Sequence, residues 1–459
     1  MTDPAVQRAV LITSAISSFL VPFMSSAVNI ALPDIGAEFN MDAVLLGWVP
    51  TSYLLVSAMF LLPLGRVADI YGRKRMFLLG MVVYILGSLV SALSMSGFML
   101  IAFRVIQGIG SAMTFSTSMA ILTSVYPREE RGRAIGISTA SVYAGLSVGP
   151  FLGGILTHHL GWRSIFYLNV LLGVFVVVMI LQRLKGEWAE ARGEHLDLTG
   201  SILYALMLLL VMLGLSRLPS STGAGLLVAG AIGVFAFFYA EARTGSPVLD
   251  VRIFSSNPVF AFSNLAALLH YASTYAVTFL MSLYLQYIQG FSAQSAGVIL
   301  VSQPILMALF SPVAGRLSDY IEPRVIASLG LAITCLAIFM LSCLGENTGL
   351  IYIIVSLIIL GLGFALFSSP NSNAIMSSVD PRYLGVASGA LGTMRLLGQM
   401  LSMGLAMMIF SVIIGQVGIT PEVYPLFLRS LKVALTVNSS LCLLGMFFSL
   451  VRGKVRGEA

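Results

Sequence analysis

Three ionisable residues lie deep within long apolar stretches of this 459-residue chain: Arg104, His270 and Arg395. Within a bilayer, a charged side chain near the centre of a helix costs about 2.5–3.5 kcal/mol on insertion scales, so it normally faces a polar cavity. Among them, His270 is the residue whose ordinary pKa, about 6.5, allows proton uptake and release under physiological conditions. The alternatives are a histidine packed between helices and an Arg395 that caps backbone carbonyls.

Uncharged polar residues accompany these three. We predict that Asn29, Tyr53, Gln107, Tyr271 and Gln399 line the same cavity and supply hydrogen bonds. By contrast, all 19 acidic residues fall in loops or at the ends of the apolar stretches. The interior is therefore predicted to be positive or neutral, which favours neutral or anionic solutes over permanent cations.

The sequence carries no signature of an enzyme or of a metal site. It contains no nucleotide-binding loop with a lysine, no His/Glu set at metal-ligand spacing and no nucleophile elbow. The three cysteines lie in apolar stretches without disulfide or metal spacing, which predicts helix packing. We therefore expect no enzymatic activity, no cofactor and no metal, and ATP-driven transport is disfavoured.

The composition predicts a membrane protein. Apolar residues make up 58% of the chain and charged residues 10%, whereas soluble domains carry about 25% charged residues. The first apolar stretch runs on without a small-residue cleavage site, which predicts a retained span. The net charge of +6 is compatible with nucleic acid, but basic residues also accumulate on the cytoplasmic side of membrane proteins. The expected partners are the lipid bilayer and a small-molecule substrate, and no nucleic acid.

Hydropathy predicts fourteen spans of about the 20 residues needed to cross a bilayer. They lie at residues 10–32, 45–67, 76–95, 98–122, 134–157, 163–183, 199–216, 223–241, 258–288, 294–313, 324–344, 349–369, 384–413 and 431–451. Most basic residues then fall on one side, and the four on the other side are Arg163, Arg217, Arg429 and Lys432. This bias predicts an inner or plasma membrane protein with both termini in the cytoplasm.

A short basic loop occurs twice. GRVADIYGRKR, Gly65 to Arg75, follows the second span, and GRLSDYIEPR, Gly315 to Arg324, follows the tenth. The repeat predicts two six-helix bundles with parallel pseudo-symmetry, 1–190 and 251–459, and an inserted two-helix hairpin, 191–250. The fold is thus an all-α polytopic membrane protein with its site near the midplane, where the bundles meet.

The first copy of the loop is predicted either to gate the cytoplasmic side as a breakable latch or to serve only as a topology anchor. Gly65 and Gly72 permit tight turns, and Asp69 can pair with Arg73 or with a helix amino end. The second copy keeps Asp319 but has fewer matching residues, so that latch is predicted to be weaker.

The fifth span contains the run GLSVGPFLGG. Small residues let neighbouring membrane helices approach closely, and a proline permits a kink. We therefore assign a gating role through close packing to Gly145, Gly149, Pro150, Gly153 and Gly154.

These motifs resemble those of the major facilitator superfamily. The basic loop is similar to the superfamily's cytoplasmic loop signature. The run RVIQGIG, from Arg104, is similar to its fourth-helix motif, and GLSVGPFLGG is similar to the signature of its exporting antiporters. GWRSIFYLNV, LDLTG and YLQ extend the resemblance to the 14-helix drug:proton antiporter family. That resemblance implies multidrug efflux driven by proton antiport. The chain departs from the family in FMSSAVNIALP, where Met24 occupies the position of an acidic residue.

We therefore predict a monomeric secondary transporter that exports small amphipathic compounds by alternating access. Its cavity is expected to be lined by spans one, four, nine and thirteen, with protons as the coupling ion. His270 is the favoured proton carrier, and Asp69 or Asp34 at the mouths are the alternatives. The competing prediction is an organic-anion carrier that uses Arg104 and Arg395, with little or no proton coupling.

Overall fold

A computed structural model describes residues 4–184, 186–189, 191–194, 196–244, 248, 251–379, 384–415 and 417–453. Every regular element in these ranges is helical, and fourteen helical segments are long and apolar enough to cross a membrane. The predicted all-α polytopic architecture is thereby confirmed. The predicted unit boundaries at residues 190 and 250 lie outside the described residues.

Six helices form the first bundle and two form the hairpin. Their bounds are α1 Pro4–Phe39, α2 Ala43–Tyr71, α3 Arg73–Ala92, α4 Gly97–Val125, α5 Arg128–Leu160, α6 Arg163–Arg183, α7 Leu198–Arg217 and α8 Ser221–Glu241. The second bundle comprises a short α9 Val251–Ser256, α10 Pro258–Leu283, α11 Ala293–Leu300, α12 Ser302–Tyr320, α13 Pro323–Ser342, α14 Leu350–Ser377, α15 Leu384–Ile413 and α16 Tyr424–Val451.

The predicted spans differ from the helices mainly at their ends and at one internal break. Helix α1 extends beyond the predicted 10–32 because helices continue into the polar layer outside the hydrocarbon. The tenth span is divided at Val301 into α11 and α12. Pro304, just after the break, has no N–H to donate to the carbonyl of Leu300, which weakens a continuous helix there.

In both bundles, a glycine allows two corresponding helices to come into backbone contact. Between α3 and α4, a Cβ on Gly87 would lie 2.6 Å from the backbone nitrogen of Gln107. Between α13 and α14, a Cβ on Gly363 would lie 2.6 Å from the backbone nitrogen of Thr334. Each pair of helices is therefore in backbone contact that only glycine allows, as expected for membrane helices whose association depends on close packing.

Fourteen spans return the chain to the side where it began. We call the end of the molecule that carries both chain ends the terminus end, and the opposite end the far end. The hairpin packs on α2 and α15, one helix from each bundle. Near the far end, Ser411 of α15 donates a hydrogen bond of 2.6 Å to the carbonyl of Leu218, which follows α7.

The bundles are in close contact at the far end. We define the far-end seam as Gly47, Pro150, Gly154, Ala293, Gly297 and Met407, because a Cβ on each of these glycines would collide with a seam residue of the other bundle. Ser282 also donates to the carbonyl of Asn29 over 2.7 Å, across the two bundles. Towards the terminus end, a Cβ on Gly136 of α5 or on Gly389 of α15 would have no described atom within 4 Å. The bundles thus meet at the far end, whereas Gly136 and Gly389 are exposed positions of α5 and α15 towards the terminus end.

Candidate transport cavity

A cavity of about 130 Å³ lies between the two bundles. It is lined by α1, α2, α4 and α5 of the first bundle and by α10, α11, α12, α14 and α15 of the second. The four predicted spans all contribute, and spans two, five, ten and twelve contribute as well. The volume is below the roughly 300–1,000 Å³ of pockets for drug-sized ligands, so a ligand of that size needs the bundles to move apart.

Five of the eight residues predicted for the cavity line it. They are Asn29, Tyr53, Tyr271, Arg395 and Gln399. Arg395 is the charged side chain among the described lining residues, and no carboxylate is among them. Its Cζ atom lies 5.2 Å from the centre of the Tyr271 ring. The electrostatic character of the lining is therefore positive, with hydrogen-bonding amides, hydroxyls and aromatic rings around it.

Arg104 and Gln107 lie outside the cavity, contrary to the prediction. Arg104 is fully buried, and its Nε atom donates to the carbonyl of Val49 over 3.2 Å. Its Nη1 atom donates to Oε1 of Gln107, whose Nε2 atom donates to Ser88 over 2.6 Å. The guanidinium also lies 4.3 Å from the centre of the Tyr53 ring. Arg104 lies outside the cavity because α2 and its own helix already provide acceptors and an aromatic face.

His270 also lies outside the cavity, contrary to the prediction. Its ring is fully buried within the second bundle, with the ring centre 4.7 Å from that of Phe364 and 4.3 Å from that of Phe367. Neither ring nitrogen has a hydrogen-bond partner among the described residues. The residue faces α14 because the next position, Tyr271, takes the cavity side of α10.

Two hydrogen bonds connect the bundles at the cavity wall. The hydroxyl groups of Ser25 in α1 and Tyr275 in α10 are hydrogen bonded. The hydroxyl groups of Tyr143 in α5 and Ser368 in α14 lie 3.0 Å apart. Any movement that separates α1 from α10, or α5 from α14, breaks these bonds.

The predicted latch is engaged within its own bundle. Gly72, with φ of +126°, ends α2, and α3 begins at Arg73. Arg73 pairs with Asp69 over 2.7 Å and donates to Ser124 of α4 over 2.7 Å. Gly65 also faces α4, since a Cβ there would lie 3.4 Å from the Cβ atom of Ser116. These contacts join α2, α3 and α4.

The connector between α6 and α7 packs on this loop, which the sequence did not indicate. The carboxylate of Glu187 accepts from the backbone N–H groups of Lys74 and Arg75, over 2.8 and 3.2 Å. A Cβ on Gly72 would lie 2.6 Å from the Cδ atom of Glu187. Glu194 forms an ion pair with Arg66. The first turn of α3 is thus capped by a side chain from the connector.

The second copy of the loop contacts α14. Asp319 accepts a hydrogen bond of 3.4 Å from Asn373 of α14, which also donates to Ser318 over 2.9 Å. Pro323, the first residue of α13, occupies the position in this copy that Arg73 occupies in the first copy. The amide of Asn373 thus joins the end of α12 to α14.

The glycines of the fifth span face two different neighbours. A Cβ on Gly145, Gly149 or Gly153 would collide with α1, for example 2.8 Å from the Cα atom of Ala27 at Gly153. A Cβ on Gly154 would lie 2.6 Å from the carbonyl oxygen of Ala293, in the second bundle. Pro150, between them, lines the cavity and belongs to the far-end seam. The run therefore combines a seam within the first bundle with a contact between bundles.

Comparison with known proteins gives the family. The sequence model of the Major Facilitator Superfamily matches residues 14–403, most of the chain. The chain belongs to the major facilitator superfamily.

Relatives of this transporter include proteins with named cargo. It is 30% identical to the riboflavin transporter RibZ of Clostridioides difficile (strain 630), over 84% of either chain. It is 34% identical to the cephamycin export protein CmcT of Amycolatopsis lactamdurans, over 84% of this chain and 82% of that one. The fold is similar to that of a bacterial homologue of the human lysosomal transporter Spinster, solved in an inward-facing, unoccupied conformation, with a TM-score of 0.73, 17% identity and coverage of 98% of both chains.

Some lining residues of the transporter were not predicted. Beside the predicted Tyr271, the residues Thr274, Tyr275 and Thr278 line the cavity from α10. Their spacing of three, four and seven residues places them on one face of a helix, so the stripe was visible in the sequence. Tyr143 of α5 had no such companions, and only the packing reveals it.

Arg452 was counted with the basic residues of the cytoplasmic side, but the structure buries it. Its Nη1 atom donates to the side-chain oxygens of Asn371 and Ser263 over 2.7 and 3.2 Å. Burial lowers the pKa of Arg452 to about 10, so the side chain is still charged at neutral pH. It connects the end of α16 to α10 and α14.

Proposed function

We propose that this transporter exports small amphipathic compounds by alternating access, in exchange for protons. The observation that carries the proposal is the cavity between two bundles that are in backbone contact at the far end. The lining mixes aromatic rings with hydroxyl and amide groups, which suits solutes that are partly apolar and partly polar.

In this scheme the structure corresponds to a state open towards the terminus end, which we assign to the cytoplasm of a plasma-membrane protein. Access switches when the far-end seam parts and the bundles rotate about the cavity. The hydrogen bonds between Ser25 and Tyr275 and between Tyr143 and Ser368 then break, and their hydroxyl groups find other partners. We propose that Asp69, held by Arg73 in this state, becomes available to the second bundle when the terminus end closes.

The moving units are the two bundles, 1–190 and 251–459, with the hairpin 191–250 bridging them, and a single chain suffices. Export rather than uptake is supported by the name of the cephamycin export protein among the relatives. The riboflavin transporter supports a cargo with planar, hydrogen-bonding rings.

For proton coupling we propose His270 as the carrier. It is buried within the second bundle and its ring centre lies 5.5 Å from that of Tyr271, which lines the cavity. A change in the packing of α10 against α14 opens a route from the cavity to its ring nitrogens. Asp69 and Asp34 are the alternative carriers at the two mouths.

The test is transport by purified protein in liposomes, with and without an imposed pH gradient. The solutes are aromatic amphiphiles of similar size that are neutral, anionic or cationic. We expect neutral and anionic solutes to be transported. Their transport should be faster when protons move down the imposed gradient in the direction opposite to the solute. The His270→Gln variant should lose the acceleration by the gradient. The control is His159→Gln, which replaces an exposed histidine at the far end of α5 and should keep the acceleration.

Two results contradict the proposal in different ways. If the wild type moves none of the solutes, the transport function is wrong for this class of compound. If transport proceeds at one rate with and without the gradient, or is fully coupled in His270→Gln, the exchange for protons through His270 is wrong.

A further inference from the structure

The cavity concentrates its positive charge at a single side chain. Of the described residues that line it, Arg395 is the charged one. No ion pair among the described residues includes Arg395, and its Nε atom has no hydrogen-bond partner among them. A guanidinium with little access to water and no counter-charge is costly, and an anionic ligand supplies the counter-charge.

The surroundings of Arg395 fit an aromatic anion. Its guanidinium faces the ring of Tyr271 at 5.2 Å, and Tyr53 and Tyr275 line the same cavity. Gln399, one helical turn further along α15, lines it as well and offers an amide. Guanidinium groups bind carboxylates through two parallel hydrogen bonds, and aromatic rings stack offset or edge to face on one another.

Arg104 does not share this role. It does not line the cavity, and its Nε and Nη1 atoms donate to Val49 and Gln107, although its Nη2 atom has no hydrogen-bond partner among the described residues. Arg104 is fully buried and completes the packing of the first bundle, whereas Arg395 is half-buried and lines the cavity.

We propose that the cavity binds planar aromatic monoanions, with the carboxylate on Arg395 and the ring system among the tyrosines. This rests on the proposed function, because it takes the cavity as the transport site. A cationic solute gains no counter-charge in the cavity and is repelled by Arg395.

The experiment compares two probes that differ only in charge, coumarin-3-carboxylate and coumarin-3-carboxamide. Their affinities for detergent-purified protein are measured by calorimetry for the wild type, Arg395→Gln and Arg395→Lys. The matched control is Arg429→Gln, which removes one positive charge from an exposed position of α16. We expect the wild type and the control to bind the acid about 30-fold more tightly than the amide, as a charged hydrogen-bonded pair predicts.

In Arg395→Gln the affinities for the acid and the amide should agree to within about threefold. The amide should bind this variant as tightly as it binds the wild type, and that result would also show that the variant is folded. Arg395→Lys, which keeps the charge but not the planar fork, should give an intermediate ratio. Equal affinities in the wild type, a preference for the acid that persists in Arg395→Gln, or binding of neither probe overturns the proposal.

Liposome transport of the same probes separates this inference from the proposed function. If Arg395 controls the preference for the acid but neither probe crosses the membrane, the anion site stands and the transport function fails. If both probes cross equally well in the wild type and in Arg395→Gln, the transport function stands and the anion site fails.

Discussion

At the scale of single residues, Arg104 and Arg395 differ in what surrounds them. Arg104 has acceptors from α2 and from its own helix, together with the face of Tyr53. Arg395 has the face of Tyr271 and the cavity. A charge in an apolar setting is tolerated when hydrogen-bond partners replace water, so Arg104 has a structural role that can be separated from binding.

The corresponding prediction is that Arg104→Leu destabilises the protein. It leaves the carbonyl of Val49 and the amide of Gln107 without their donor, which costs about 1–3 kcal/mol for a buried acceptor. We expect a lower melting temperature in detergent and an unchanged ratio of affinities for the coumarin acid and amide. Arg429→Leu, at an exposed position, serves as the control. A wild-type melting temperature in Arg104→Leu would mean that these hydrogen bonds contribute little.

At the scale of elements, α5 is the helix whose small residues have the clearest structural consequence. Three of its glycines allow α1 to approach until backbones touch, and another face of the same helix, at Pro150 and Gly154, contacts α11 of the other bundle. A helix with both contacts transmits a shift of the first bundle to the far-end seam. Small residues in α5 are therefore needed both for packing within the first bundle and for the contact between the bundles.

The prediction for this element is that Gly149→Leu impairs folding or transport. A Cβ there would lie 3.0 Å from the Cβ atom of Ser26 and 3.1 Å from the carbonyl oxygen of Phe23. Overpacking of this kind costs about 1–3 kcal/mol. The control, Gly136→Leu, lies in the same helix where a Cβ meets no described atom within 4 Å. Yield of monodisperse protein and transport rate are measured for both, and equal tolerance would show that α1 can move aside.

At the scale of the whole molecule, the arrangement of contacts identifies which end must open. The far-end seam and the bond from Ser282 to Asn29 hold the bundles together on one side of the cavity. Alternating access requires this side to separate in every cycle.

We therefore predict that a covalent link across the far end stops transport. Gly47→Cys and Met407→Cys place two thiols on opposite sides of the seam, and the second substitution removes the side-chain atoms that a Cβ on Gly47 would meet. A Cys343→Ser background removes the exposed native cysteine. Oxidation should abolish transport, and a reductant should restore it. Each single cysteine variant should transport equally well before and after oxidation. Continued transport by the cross-linked protein would mean that the far end does not open.

The number and order of the helices could be predicted from the sequence, because a span is defined by the length of its apolar run and the bilayer has a fixed thickness. The duplicated loop likewise predicted two bundles. The direction of each side chain could not be predicted in the same way. Lipid and protein interior are equally apolar, so the face of a membrane helix that meets its neighbours carries little hydrophobic signal. Polar stripes such as Tyr271 to Thr278 are the exception. Only the tertiary structure decided that Arg104 and His270 point into packed helices and Arg395 into the cavity, because one residue rotates a helix face by about 100°.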